Sequence, residues 1–138
     1  MYLEDLLIAM TRIAEYIHGY TFSEFKRDYK TVDAVIRNFE IIGEASRKLP
    51  DELKERYPEV PWSEMYLLRN KVSHEYFGVD YEIIWDVATN YLPENKSQIE
   101  NILDTESWSP LVFVNQIILT HLVLYVIDNY FVFYLDLV

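Results

Sequence analysis

Apolar residues along the first hundred positions recur at three- and four-residue steps, the spacing of a single buried helical face. Over residues 3–18 the recurring set is Leu3, Leu6, Leu7, Met10, Ile13, Ala14 and Ile17, and Gly19 stops the helix. Thr21-Phe22-Ser23-Glu24 has the spacing of a capping box and predicts a short helix through about Tyr29. A longer helix follows from about Thr31 to Lys48. It turns Val32, Val35, Ile36, Phe39, Ile42 and Ala45 inward, and Pro50 ends it. Residues 51–57 allow one or two turns before Pro58, and Pro61 suits the start of the next helix. That helix carries Met65, Leu68 and Val72 inward, runs into the segment 69–76, and is broken by Gly78. Asp80 predicts the N-cap of a helix through about Tyr91, with Ile83, Ile84, Val87 and Ala88 buried. Pro93 opens another, closing on Ile99, Ile102 and Leu103. No stretch of residues 1–107 combines strict alternation with hairpin turn signals. The expected fold class is therefore all-α, an antiparallel helix bundle.

The pattern changes abruptly after Glu106. Residues 108–138 hold no Lys or Arg and two acids, with apolar runs such as Ile117-Ile118-Leu119 and Leu122 through Ile127. The sequence thus divides into a helical domain over 1–106 and an apolar C-terminal extension over 107–138. The span from Leu111 to Ile127 is about as long as the shortest membrane helices. Asn115, Gln116, Thr120 and His121 interrupt it, and no basic flank sets an orientation. Its β-branched and aromatic content would equally suit a strand pair. A helix packed on the bundle or on a neighbouring subunit fits these features better than a membrane span.

Composition narrows the function classes. A chain of 138 residues, 51% of them hydrophobic and only three glycine, is long enough to bury a substantial core. With no cysteine, disulfides and thiolate metal sites are excluded. His18, His74 and His121 are far apart and show no metal-ligand spacing, so neither metal nor cofactor is expected. The N-terminus, Met1-Tyr2-Leu3-Glu4-Asp5, lacks the basic region of a signal peptide, and a cytoplasmic location is the simple expectation. The net charge of −11 opposes nonspecific coating of RNA, because phosphate binding draws on Lys and Arg. All 12 basic residues lie between Arg12 and Lys96, which leaves room for a local basic site. An acidic surface also suits a basic partner.

Arg69, Asn70 and His74 lie close together near the end of a helix, followed by Tyr76. Cleaving RNA without a metal needs a group that moves protons near neutrality and a cation that holds the phosphate. Histidine suits the first role and arginine the second. Asn70 can orient the phosphate or hold the imidazole in one tautomer. On a regular helix positions 70 and 74 share a face, whereas 69 and 74 stand about 140° apart around the axis. They converge if the helix loosens near Val72–Ser73, if the arginine wraps round, or if two copies meet across a two-fold axis and pool both pairs. By itself an Arg and a His five apart is a common accident. Tyr76, before Phe77-Gly78, is on the same terms a packing residue. Lys71 adds positive charge for RNA or pairs with Glu75, and Arg37 contacts substrate or pairs with Glu40 and Glu44 on a solvated face.

The string Arg69-Asn70-Lys71-Val72-Ser73-His74-Glu75-Tyr76 resembles the R-N-x-x-x-H-x-Y signature of HepT-like proteins of the HEPN superfamily. The resemblance extends through residues Asp33 to Ala45, Leu49-Pro50, Tyr57-Pro58, Pro61-Trp62, Tyr76 to Asp80 and Trp85, covering about residues 1–104. The tail after residue 107 has no counterpart in that pattern. What the resemblance implies is a HEPN-type bundle forming a symmetric homodimer, with the tail leaving room for a higher oligomer. The implied activity is that of a metal-independent endoribonuclease, the toxin of a type II toxin–antitoxin pair whose antitoxin is an MntA-like nucleotidyltransferase. Arg69 and His74 would cleave RNA with Asn70 assisting, and Tyr76 would be the tyrosine that the antitoxin AMPylates. An added phosphate there would put negative charge where substrate phosphate binds. The competing expectation is a non-catalytic module that docks a nucleotidyltransferase.

Overall fold

A computed structural model describes residues 2–74 and 80–107, with side chains over 2–68 and 80–106. Every element among them is helical: α1 (Tyr2–Ile17), α2 (Phe22–Phe25), α3 (Tyr29–Lys48), α4 (Asp51–Arg56), α5 (Trp62–His74), α6 (Tyr81–Asp86), a π-helical turn (Val87–Tyr91) and α7 (Leu92–Ser107). The chain divides into two units, Met1–Leu103 and Asp104–Val138. The first holds the whole of the core described below.

Local chemistry sets where the helices begin and stop. Gly19 has φ +78°, a left-handed conformation that costs glycine little, and α1 ends just before it. The capping box forms as its spacing predicts: Thr21 Oγ1 accepts from the Glu24 amide at 3.3 Å, and the Thr21 amide donates to Glu24 Oε2 at 2.8 Å. The helix it opens is a single turn ending at Phe25, short of the expected Tyr29. The reason is Asp28. Its carboxylate accepts from the amides of Lys30 and Thr31 and from the hydroxyls of Thr31 and Tyr20, which caps a new helix. The long helix therefore starts at Tyr29, two residues before the expected Thr31.

Helix α3 is the centre of the bundle. Lys48 Nζ lies 5.8 Å from the Tyr2 ring centroid, so the start of α1 meets the end of α3 and the two run antiparallel. Leu6, Met10 and Ile13 of α1 and Val32, Val35, Phe39 and Ile42 of α3 are each at most 2% exposed. Ala9 fills the α1 position expected of Ala14, which is exposed, because 6, 9, 10 and 13 form the tighter stripe. On its inner face α3 also buries two polar residues, which the hydrophobic pattern does not reveal. Ser46 Oγ donates to the Gly43 carbonyl at 3.0 Å, and Asn38 Nδ2 donates to the Ala34 carbonyl at 2.8 Å. At the other end of the core Phe22 and Phe25 pack on Trp85, with ring centroids 6.1 and 5.2 Å apart.

Pro93 does not open a separate helix. The chain stays helical from Tyr81 to Ser107 and widens at Val87–Tyr91, where the Leu92 amide bonds the Val87 carbonyl, five residues back. Proline has no N–H, and its ring presses on the carbonyl four residues earlier. A π turn shifts that carbonyl and absorbs the mismatch. Asp80 caps α6 as expected. Of the four residues expected inside, Ile84 and Ala88 are buried and Val87 partly so, but Ile83 is 39% exposed. It stands a quarter-turn off the 84–88 stripe. Ile99 and Ile102 of α7 complete the core, with Leu103 packed against it.

No helix among the described residues is long and apolar enough to cross a membrane. The apolar extension of residues 108–138, Val72's expected inward packing and Tyr76 lie outside what the structure describes. Since Phe39 is 1% exposed at the meeting of α1, α3 and α5, its replacement by alanine should cost about 3–5 kcal/mol. Chemical denaturation should show a lower midpoint, and an unchanged midpoint would contradict this core.

Candidate functional site

The start of α5 is pinned in place. Trp62 is buried, its indole Nε1 donates to the Tyr57 carbonyl at 2.9 Å, and the Met65 amide donates to the Pro61 carbonyl at 3.0 Å. Met65 is buried and Leu68 half-buried against the core, which fixes the rotation of α5 about its own axis. Its backbone is α-helical without interruption through His74. Val72 and Ser73 thus show no loosening of the helix.

This backbone places Arg69, Asn70, Lys71 and His74 on the last two turns of α5; their side chains lie outside the described residues, as does Tyr76 altogether. Register alone puts positions 67, 70, 71 and 74 on one stripe. Position 69 stands about 140° round the axis from 74 and about 7.5 Å along it.

Beside that stripe runs an apolar groove of about 560 Å³. Its floor is Met10, Phe39, Ile42, Met65 and Leu92, all buried, and its walls come from α5 and the π turn. Leu67, Ile83 and Tyr91 stand at its mouth, 56%, 39% and 58% exposed. Glu64 and Asn95 are its polar wall residues. Sequence reasoning missed this feature. The available signals were Leu67, an apolar residue off the inward stripe, and Pro93 inside a helical run.

A second hollow, of about 590 Å³, is polar and lies on α3 and the first turns of α1. Arg37, Arg47 and Lys48 line it together with Asp5, Glu40 and Glu44. Arg37 Nη1 pairs with Glu40 Oε2 at 2.8 Å, and Glu44 Oε1 takes Arg47 Nη2 at 2.9 Å and Lys48 Nζ at 3.2 Å. Arg37 is 72% exposed, so its pair adds little stability. The solvated, paired face expected for this helix is present. Hydrogen bonds from Arg47 and then Lys48 hold the Glu44 carboxyl down at about 2, and the same contact raises the Arg47 guanidinium.

Among the described residues the structure is thus an all-helical bundle whose core-packed α5 carries the R-N-x-x-x-H string on its last two turns. The ribonuclease HepT-like family model matches residues 6–102, and the chain belongs to that family. Over 102 residues it is 46% identical to MJ0127 of Methanocaldococcus jannaschii, named as a candidate RNase, covering 74% of this chain and 84% of that one. A protein of Thermococcus cleftensis named as a candidate ribonuclease HepT is 43% identical over 101 residues, 73% of this chain and 92% of its own. TTE0752 of Caldanaerobacter subterraneus, also named as a candidate RNase, is 41% identical over 105 residues, 76% of this chain and 94% of its own. No solved structure matches the chain.

The Glu44 cluster generates a pH prediction. Its carboxyl titrates near 2 when folded, against the usual 4.5, so its contribution to stability is complete above about 4.5 and is lost as pH falls towards 2. Glu44→Gln should flatten that acid limb of the stability–pH curve relative to the parent. Superimposable limbs would show that the cluster does not form in solution.

Proposed function

We propose that the chain is a metal-independent endoribonuclease acting as the toxin of a type II toxin–antitoxin pair in the cytoplasm. The observation that carries this reading is a continuous α5 bearing Arg69, Asn70 and His74 at its end, in a chain of the HepT-like ribonuclease family. The reaction is a transesterification. The 2′-oxygen bonds to phosphorus while the P–O5′ bond breaks, giving a 2′,3′-cyclic phosphate and a 5′-hydroxyl end. His74 takes the proton from the 2′-hydroxyl and returns a proton to the leaving 5′-oxygen. Arg69 clamps the phosphate as a planar fork and neutralises the charge that builds on it. Asn70, on the same face as His74, orients either the phosphate or the imidazole. Lys71 and Arg37 add weaker contacts to the substrate backbone.

An uninterrupted helix separates Arg69 from His74 by about 140°, which supports a site assembled from two copies. In a symmetric homodimer Arg69 of one copy serves His74 of the other. Tyr76 is then the off-switch. A nucleotidyltransferase antitoxin of MntA type adds AMP there, and the added phosphate repels the substrate.

The net charge of −11 favours a second reading, a non-catalytic module whose acidic surface docks a basic nucleotidyltransferase. Cleavage by the isolated protein separates the two. The purified parent should cut RNA in the presence of a chelator. Arg69→Ala and His74→Ala should each reduce cleavage at least about a hundredfold while circular dichroism stays unchanged. If His74→Ala cuts RNA as fast as the parent, the catalytic assignment is wrong; if the parent never cuts, the docking module stands.

A further inference from the structure

The apolar groove between α5 and the π turn has no part in the chemistry above, yet it opens directly onto the catalytic helix. Its volume of about 560 Å³ falls in the range of small-molecule sites, roughly 300–1,000 Å³. So does its make-up, an apolar floor with a few polar groups at the walls. Tyr91, 58% exposed on the π turn, is an aromatic residue of its lining. Glu64 and Asn95 are the side chains there able to read a polar edge.

Position sets what would enter. Leu67, on the groove wall, shares its stripe with positions 70, 71 and 74, and one helical turn, about 5.4 Å, separates the mouth from Asn70 and Lys71. That is the step from a phosphate to a neighbouring base. A second copy is a poorer occupant, because a two-fold contact centred on the groove would set one hollow against the same hollow.

We infer that the groove is a base-binding subsite for the nucleotide next to the scissile phosphate, with Tyr91 stacking on the base and Glu64 and Asn95 reading its edge. The inference rests on the ribonuclease reading and adds sequence preference to it. A carboxylate accepts from an exocyclic amine and repels a carbonyl. Adenine and cytosine are therefore favoured at this position over uracil, and Asn95 adjusts to either edge.

Binding to short 2′-O-methyl oligonucleotides of A, C or U tests this on the full chain, since blocking the 2′-oxygen prevents cleavage. Oligo(A) and oligo(C) should bind about tenfold more tightly than oligo(U). Glu64→Ala should erase that difference. Tyr91→Ala should weaken all three about tenfold and Tyr91→Phe should not. Indifference to the base, alongside normal cleavage of ordinary RNA by the parent, would overturn the base site and leave the ribonuclease reading intact. A Tyr91→Ala variant whose sedimentation changes while its RNA affinity does not would make the groove a protein contact, and the inference would again be wrong. A parent that neither binds nor cleaves RNA would remove the ribonuclease reading and this one with it.

Discussion

The packing of α5 against α3 is the contact that orients the candidate site. Phe39 and Ile42 on one side and Met65 and Leu68 on the other hold α5 at one rotation, and the Trp62 indole anchors its start. A helix fixed in rotation has no choice about which residues share a face. Positions 67, 70, 71 and 74 are turned one way and position 69 another. The hydrophobic core therefore dictates the geometry of the candidate chemistry, although no core residue takes part in it. Protein interiors transmit such constraints because they are close-packed and deform little.

On the proposed ribonuclease reading, that geometry would make the motif half of a site. Histidine and arginine suffice in kind for metal-free phosphodiester cleavage, but on one unbroken helix positions 69 and 74 stand about 140° apart around the axis. In the proposed homodimer a second copy would supply the missing partner with no new residue type, which a two-fold axis does naturally. It also reconciles an acidic chain with an RNA substrate. On that proposal the affinity would come from a few cations gathered at one place, while the remaining surface would discourage nonspecific binding. Among the described residues Arg47, Lys48, Lys54 and Lys96 each pair with a nearby carboxylate on the same or an adjoining turn, and Arg37 would contact substrate only by giving up Glu40.

Much of the fold was legible in the sequence, because helical periodicity and capping chemistry are local. Gly19, the Thr21 capping box, Asp80 and the inward stripe of α3 all act within a few residues of themselves. The misreadings came where a tertiary or backbone effect intervened. Asp28 captured both Thr31 and Tyr20, eight residues away, and moved a helix start. Pro93 was absorbed by a π turn, which no hydrophobic pattern encodes. Of the candidate site, the motif and its register could be read from residue order alone. The groove could not, because its floor combines α1, α3, α5 and α7, whose juxtaposition exists only in three dimensions.

If Arg69 of one copy works with His74 of another, two inactive variants should complement each other. Mixing or co-expressing Arg69→Ala and His74→Ala chains tests it most directly, because a heterodimer of the two retains one complete Arg–His pair across the axis. Each variant alone should be inactive, and the mixed dimer should recover a substantial fraction of parental RNA cleavage. Mixed dimers demonstrably formed but as inactive as either variant would contradict it, and would return both residues to a single chain.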